Sequence, residues 1–232
     1  MKDRRNKIIS AIILILIIVF LCYLTIQLFP IFKSLSTETG RLEFKDKIEG
    51  LGVKGVFMII GLMITQVFLP ILPGEPVEVL SGMCFGAIGG LAVVIIGALI
   101  STFIIIFAVR KLGKKFIYTF VSKEKIEKLE NNKIFKNPKK IDLILFILFF
   151  IPGTPKDLFV YIGALLPINP WKFILISSFA RFPSIISSTI AGANLVAGNW
   201  GIIVGVYAIT FAISGILIYI FGKKQPDIRS VM

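Results

Sequence analysis

The chain has 232 residues, 56 % of them hydrophobic, and its mean hydropathy is +0.91. Charged residues make up 17 % of the chain, against about a quarter in a soluble domain. Most of the net charge of +13 lies in the tails and the loop 110–140, which predicts cytoplasmic placement and contact with anionic lipid rather than nucleic-acid binding. Histidine is absent, which excludes Ser-His-Asp catalysis and His-type zinc sites, so we expect no enzyme, no metal site and no cofactor.

The first predicted element is an N-terminal membrane anchor over residues 1–33. Basic residues 1–7 precede an apolar stretch of about 25 residues, which is longer than the 7–15 residues of a signal-peptide core. We therefore expect an uncleaved span whose N-terminus stays in the cytoplasm. Residues 34–55 follow as an extracytoplasmic loop, in which Leu42, Phe44 and Ile48 favour a short interfacial helix.

A transmembrane domain is predicted over residues 56–224, and its first half (56–110) is expected to be a hairpin followed by a crossing helix. The apolar arm 56–69 breaks at Leu-Pro-Gly-Glu-Pro, residues 77–85 return, and residues 87–109 are long enough to cross. An arm of about 10–15 residues is shorter than the roughly 20 that a spanning helix needs, which favours a re-entrant hairpin. The alternative is that 56–69, and likewise 141–150 in the second half, are ordinary full spans.

The hydrophilic connector 111–140 follows the first half. Between Arg110 and Lys140 there are eleven Lys or Arg residues against three Glu, so this loop is predicted to be cytoplasmic. Ile126, Leu129 and Ile134 recur at helical spacing beneath many lysines. This pattern predicts a short amphipathic helix, either lying on the cytoplasmic leaflet or acting as a solvated connector.

The second half (141–196) repeats the pattern of the first in the opposite orientation. An arm over 141–151 breaks at Ile-Pro-Gly-Thr-Pro, residues 158–166 return and residues 171–196 cross. A last span over 201–221 leads to a cytoplasmic tail, 225–232. We therefore predict an all-α polytopic membrane protein with about four full crossings and two facing re-entrant helical hairpins in an inverted repeat. The predicted hairpin-turn residues are Pro73, Gly74, Pro76, Pro152, Gly153 and Pro155.

Ionisable residues at bilayer depth are the candidate site. Each costs about 2.5–3.5 kcal/mol at a helix centre, so these side chains must pair or face water. Glu75 is the stronger candidate for proton coupling and Glu78 the weaker one. Asp157 is expected to reach Arg181, whose fork suits a phosphate or a carboxylate, and Lys156 to reach Glu75 or an incoming anion. The alternative is that these charges only cap helices and stabilise the fold.

Three segments resemble the VTT-domain family, also called the SNARE-associated Golgi protein family, of the DedA superfamily. They are residues 72–82, 151–163 and 177–194, the last reading S-S-F-A-R-F-P-S-I-I-S-S-T-I-A-G-A-N. The resemblance covers roughly 56–224 and implies facing re-entrant hairpins and lipid scrambling or flipping, with undecaprenyl-phosphate recycling in some bacterial relatives and proton coupling as an option.

Individual residues match this pattern unequally. Glu75 stands where the DedA branch has its membrane-embedded glutamate. Phe149 stands where that branch has an arginine before its Pro-Gly, and Lys156 only approximates a second arginine, which weakens the transfer of the undecaprenyl-phosphate substrate. Arg181 belongs to the VTT pattern instead.

We therefore expect a multi-pass transporter of the plasma membrane that moves phospholipid or polyprenyl-phosphate headgroups between the two hairpins. The expected partners are membrane phospholipids, anionic lipid at the basic loop and a second copy of the chain. Two alternatives stay open from the sequence: an ion- or proton-coupled exporter of a small solute, and a non-transporting membrane assembly factor.

Overall fold

The computed structural model describes residues 37–69, 73–131, 141–151 and 154–224, and within these ranges the regular elements are helices. The predicted anchor 1–33, the turn residues Pro152 and Gly153, the connector residues 132–140 and the tail 225–232 lie outside the described residues. The helices are α1 (Glu38–Gly50), α2 (Val53–Phe68), α3 (Glu75–Leu112), α4 (Lys114–Ile117), α5 (Lys123–Glu130), α6 (Ile141–Phe150), α7 (Lys156–Leu165), α8 (Pro170–Phe179), α9 (Phe182–Leu195) and α10 (Trp200–Lys224).

The chain divides into two compact units, residues 1–47 and residues 48–232. The described part of the first unit is the beginning of α1, where the Gly40 N–H donates to Thr37 Oγ1 over 3.2 Å. This hydroxyl caps an amide that a helix N-terminus leaves without an intrahelical partner. The second unit contains α2 to α10 and all the residues discussed below.

Three stretches of the described chain are long and apolar enough to cross a membrane: α3, residues 170–195, and residues 200–220 of α10. A fourth is added if α1 and α2 are counted as one span. The coarse prediction of an all-helical, multi-pass membrane protein is therefore confirmed. α3 counts as one span by composition, but at 1.5 Å per residue its 38 residues would extend about 57 Å, far more than the roughly 30 Å of bilayer hydrocarbon.

A sharp reversal at Gly86 explains the length of α3. Gly86 has φ 72° and ψ 175°, a backbone conformation that glycine adopts readily because it has no Cβ. The Ser81 hydroxyl donates to the Gly90 carbonyl over 3.0 Å, although nine residues of straight helix would separate these positions by about 13.5 Å. Residues 75–85 therefore fold back along residues 87–112. The break lies where the sequence analysis ended its returning arm and began its first crossing.

Glycines let the folded-back segment 75–85 pack closely on α9. A Cβ added to Gly82 would collide with the backbone of Thr189, and one added to Gly192 would collide with the carbonyl of Val79. Close approach of helix backbones through small residues is the usual packing mode in membranes, where there is no hydrophobic driving force between helices. α10 packs mainly along α9, and only 6 % of its span is buried.

The connector packs on protein in its described part. Ile126 of α5 is fully buried, as is Ile117 of α4, and α5 contacts α7. At the end of α5, Glu130 accepts a hydrogen bond from Lys114 Nζ over 2.6 Å. In the described part of this helix, the predicted apolar residue Ile126 therefore packs on the same chain.

Candidate functional site

Asp157 is the point at which three parts of the fold meet. Arg181 Nη1 donates to Asp157 Oδ1 over 2.9 Å, and Gln66 Nε2 donates to Asp157 Oδ2 over 2.6 Å. Arg181 and Gln66 are 2 % and 3 % exposed. Because both carboxylate oxygens are engaged, Asp157 is held as a paired anion. The ion pair is the one that the sequence analysis expected, whereas the bond from Gln66 was not anticipated.

Arg181 lies at the break between α8 and α9, and the local sequence explains the break. Pro183 in the first turn of α9 has no N–H to donate, so the hydrogen-bond ladder of α8 cannot continue through it. A new ladder begins at the Arg181 carbonyl, which accepts from the Ser184 and Ile185 amides, both over 3.0 Å. The guanidinium lies over the ring of Phe149, 5.1 Å from its centroid. Cation–π attraction of this kind is strongest when the pair is shielded from water, as here.

Asp157 occupies the first turn of α7, where the helix dipole favours a negative charge. Shortly before it, the Thr154 hydroxyl lies 2.6 Å from the Leu148 carbonyl and 2.9 Å from the Ile151 carbonyl. These carbonyls at the end of α6 lack helical partners, and inside a membrane an unsatisfied carbonyl is costly. Thr154 therefore stabilises the end of α6 from a position just before α7, the helix that carries Asp157.

The two acidic residues of the first turn have different environments. Glu75 is exposed at the start of α3, while Glu78, one helical turn on, is only 5 % exposed. Glu78 has Lys156, Arg181 and Asp157 as electrostatic neighbours, with Lys156 the strongest. The structure thus places Glu78, which the sequence ranked second, among the buried charges. We call Gln66, Glu78, Lys156, Asp157 and Arg181 the polar cluster.

Several buried polar atoms of this region have no hydrogen-bond partner within the described chain: Arg181 Nε and Nη2, Glu78 Oε2 and Ser178 Oγ. Leaving such a group unsatisfied costs about 1–3 kcal/mol, and more for a charged group. Native proteins rarely tolerate this unless water, an ion or a ligand supplies the missing bonds. The polar cluster therefore has spare donors on Arg181 and a spare acceptor on Glu78.

The other hydroxyls of residues 177–189 are largely satisfied by their own helices. Ser187 and Ser188 both donate to the Ser184 carbonyl, over 2.7 and 3.2 Å, and Thr189 donates to the Ile186 carbonyl over 3.2 Å. This is the usual behaviour of Ser and Thr inside helices. It leaves Arg181 as the principal unsatisfied donor at this level of the fold.

A second hydrogen bond joins α2 to α7 beside the polar cluster. The Tyr161 hydroxyl donates to the Phe68 carbonyl over 2.9 Å, and so satisfies a carbonyl at the end of α2. The ring of Phe120, from the connector, lies 6.0 Å from the rings of both Phe68 and Tyr161. Phe120 therefore brings the connector into contact with both residues of this hydrogen bond.

The remaining predicted turn residues lie at the edge of the cluster. Gly74 is half-buried, and a Cβ added there would lie 3.2 Å from Gln66 Oε1. Pro73 and Pro76 are exposed on either side of it, and Pro155 is exposed just before α7. Sequence reasoning missed Gln66, Thr154, Tyr161 and Phe120. Gln66 had a detectable signal, because it is an amide within the otherwise apolar run of α2.

Apolar helices, several of them long enough to cross a membrane, lie around the polar cluster, some of whose atoms lack hydrogen-bond partners within the described chain. These features define a multi-pass helical membrane protein. The VTT domain model matches residues 72–194, more than half of the chain, so the chain belongs to the VTT-domain family. It is similar to the uncharacterized protein YqeD of Bacillus subtilis (strain 168), with 25 % identity over 190 residues that cover 80 % of this chain and 86 % of that protein. No solved structure matches the chain.

Proposed function

We propose that this protein is a lipid transporter, a scramblase or flippase that moves phospholipid or polyprenyl-phosphate headgroups across the membrane through the polar cluster. The observation that carries the proposal is the buried Asp157–Arg181 pair, together with the unpartnered nitrogens of Arg181. A phosphate oxygen can accept from Arg181 through a two-pronged contact, which suits a guanidinium better than an ammonium. We propose a transport role and no covalent chemistry.

The arrangement of helices supports two re-entrant hairpins in an inverted repeat. α2 and α6 have 16 and 10 residues, or about 24 and 15 Å, which falls short of the roughly 30 Å of hydrocarbon. Each is followed by a turn, a returning helix (75–85 or α7), a break and a long helical stretch (87–112 or 170–195). Transport sites commonly lie between such broken segments of two inverted halves.

In the proposed mechanism, the headgroup phosphate competes with Asp157 for Arg181. Lys156 supplies a second positive charge, and the acyl tails remain in the bilayer. Glu78 balances the positive charges when no phosphate is bound, and we propose that it carries the proton if transport is coupled to protons. Glu75 is exposed one helical turn before Glu78, and as an acidic residue it does not attract anions. In this mechanism it relays protons toward Glu78.

The proposed location is the plasma membrane, with both termini and the basic connector in the cytoplasm. The support is the excess of Lys and Arg in the loop 110–140, since basic loops are retained on the cytoplasmic side. The same charge would attract anionic headgroups to the connector. We also propose that copies of the chain associate in the membrane.

Purified protein in vesicles that carry fluorescent phospholipid tests the proposal. Wild type is expected to move the label between leaflets. Arg181→Lys is expected to do so at about one tenth of the wild-type rate or below, since hydrogen bonds to charged groups are worth about 1.5–3 kcal/mol. Lys172→Arg, at an exposed ion pair with Asp142, is the control and should be unchanged. Lipid movement equal to that in protein-free vesicles, or tracer-solute flux without it, would overturn the proposal.

Proton coupling is tested in the same vesicles with an imposed pH gradient. Glu78→Gln is expected to abolish any dependence of the translocation rate on the gradient, because the amide has nearly the same shape but cannot release a proton. Glu75→Gln should weaken the dependence without removing it. If both variants respond to the gradient as wild type does, neither carboxylate carries the proton.

A further inference from the structure

Ser188 lies between the polar cluster and the last helix. It is part of α9, only 2 % exposed, and within hydrogen-bonding reach of both the Glu78 carboxylate and the Tyr207 hydroxyl. Glu78 belongs to the folded-back segment 75–85, and Tyr207 belongs to α10. A single buried hydroxyl therefore links side chains from two other helices.

The packing of α9 explains why these side chains meet. Residues 196–199 connect α9 to α10, and the two helices contact each other as an antiparallel pair. Ser188 and Tyr207 each lie about two helical turns from this connection, so they stand at the same level. The folded-back segment also approaches α9 so closely that a Cβ added to Gly82 would collide with the backbone of Thr189. Ser188 therefore has neighbours from both packed elements.

The hydroxyl proton of Ser188 is free to change its acceptor. It is donated to the Ser184 carbonyl over 3.2 Å, which is longer than the usual O–H···O length of about 2.7–2.8 Å. Ser187 donates to the same carbonyl over 2.7 Å, so that carbonyl stays satisfied if Ser188 rotates away. Glu78 Oε2, by contrast, has no donor within the described chain. Rotation of the Ser188 hydroxyl supplies the carboxylate with one.

Tyr207 is placed to return a proton to Ser188. Its side chain has Ser188 as its hydrogen-bond neighbour, and Glu75 and Glu78 as electrostatic neighbours. Its half-buried ring stacks on Phe211, with the two centroids 6.3 Å apart, which restrains the direction of the hydroxyl. A tyrosine hydroxyl can donate and accept at the same time. Tyr207 therefore connects the exposed carboxylate of Glu75 to the buried hydroxyl of Ser188.

We propose that the hydroxyls of Tyr207 and Ser188 relay protons from Glu75 to Glu78. In one transfer, Ser188 gives its proton to the Glu78 carboxylate and takes the proton of Tyr207, which takes one from the Glu75 carboxyl. Both hydroxyls end neutral, and one proton has moved between the two carboxylates. Water can take the place of Glu75, which is exposed. The relay rests on the proposed function, in which Glu78 carries the coupled proton, and it names the path that this proton follows.

The charged side chains around Glu78 do not offer the same path. Lys156 and Asp157 of α7 and Arg181 at the α8–α9 break are its electrostatic neighbours. Arg181 does not release its proton in proteins, and Asp157 is held as an anion by Arg181 and Gln66. Lys156 is the remaining titratable group among these neighbours. Lys156→Arg keeps the charge but holds its proton, so slower protonation of Glu78 in this variant would move the path to Lys156 and overturn the relay.

A rapid pH jump in detergent-solubilised protein tests the relay. Protonation of Glu78 is followed by the infrared carbonyl band of its carboxylic acid, which Glu78→Gln identifies by its loss. Tyr207→Phe, which keeps the ring, and Ser188→Ala should each slow the appearance of this band tenfold or more, since a positioned proton-transferring side chain contributes about 10²–10⁴-fold. An unchanged rate in either variant, or no such band at any pH at which wild type stays folded, would overturn the proposal.

Two matched variants separate a relay from a structural effect. Tyr219→Phe removes a hydroxyl from the same helix at a side chain that is 64 % exposed. Ser214→Ala removes a buried hydroxyl that, like Ser188, donates to a carbonyl of its own helix. Both should protonate Glu78 at the wild-type rate, and slowing equal to that of Tyr207→Phe would refute the relay.

The pH jump needs no lipid movement, so failure of the relay and failure of transport are distinguishable. Slower protonation in Tyr207→Phe together with a wild type that moves no lipid would leave the relay standing and remove the transport proposal. In vesicles with an imposed pH gradient, Tyr207→Phe should reduce the dependence of lipid movement on the gradient. A dependence equal to that of wild type would remove the relay and leave transport standing.

Discussion

Asp157→Asn is the substitution that most directly tests how the two halves are held together. The amide has the size of the carboxylate but only one accepting oxygen. It can keep either the 2.9 Å bond from Arg181 or the 2.6 Å bond from Gln66, while its NH₂ group faces the other donor. Arg181 is then left as a buried cation without its counter-ion. Breaking one partner of a buried ion pair costs about 3–5 kcal/mol, which we take as the expected loss of unfolding free energy.

The chain contains a matched control for this substitution. Asp142 also lies in the first turn of a helix, α6, and also pairs with a cation, Lys172, but their side chains are 37 % and 58 % exposed. Exposed pairs are worth about 0–1 kcal/mol. Because Asp142→Asn and Asp157→Asn each remove a charge from a helix N-terminus, the dipole contribution is common to both. The difference in stability, about 2–5 kcal/mol, then reports the buried pair.

The assay is unfolding of the purified protein in mixed detergent micelles, followed by tryptophan fluorescence, for both variants and wild type. Adding Arg181→Gln to Asp157→Asn removes the orphaned charge, so the double variant should be less destabilised than the sum of the two single variants. The reasoning is refuted if Asp157→Asn costs no more than Asp142→Asn, or if the two effects at the pair are additive.

Four other substitutions test helix packing and buried contacts. Gly82→Ala should destabilise by about 1–3 kcal/mol because its Cβ would collide with the backbone of α9. Gly215→Ala, with nothing within 4 Å of the added carbon, should be neutral or stabilise by up to about 1 kcal/mol. Thermal unfolding of the Gly82 and Gly215 variants in the same detergent measures both changes in stability. Tyr161→Phe leaves the Phe68 carbonyl without its buried donor and should cost about 1–3 kcal/mol in the same assay. Unchanged stability would contradict a stabilising hydrogen bond between Tyr161 and Phe68. Ile126→Ala should cost about 2–5 kcal/mol and speed proteolysis of the connector, whereas an effect seen only with anionic vesicles would place this side chain on lipid instead of protein.

Much of the helical framework could be read from local chemistry. Long apolar runs predicted α3, α10 and the stretch 170–195, and Pro-Gly pairs predicted where α2 and α6 end. The break at Gly86 falls between residues 77–85 and 87–109, where the sequence analysis divided this stretch. The break at Arg181 was less visible, because an apolar run with one proline two residues on also fits a continuous, kinked helix.

The site was predictable in kind and less so in detail. The sequence identified the ionisable residues at bilayer depth, since charge inside an apolar run is costly and needs a partner. It also anticipated that Asp157 would pair with Arg181. It ranked Glu75 above Glu78 because Glu75 is in the turn itself, yet only Glu78 is buried. Which of two acids one turn apart is covered depends on the neighbouring helices, and spacing along one helix carries no information about them.

The sequence by itself determined the class of protein, the positions of its helices and the groups that had to be paired, because hydropathy, proline, glycine and charge act within a few residues of the chain. Only the tertiary structure decided that Gln66 completes the Asp157 pair, that Tyr161 satisfies the end of α2, and that the connector packs on α7. These contacts join residues as much as 93 positions apart. They exist because the helices converge, and a contact of that range leaves no periodic trace in the sequence.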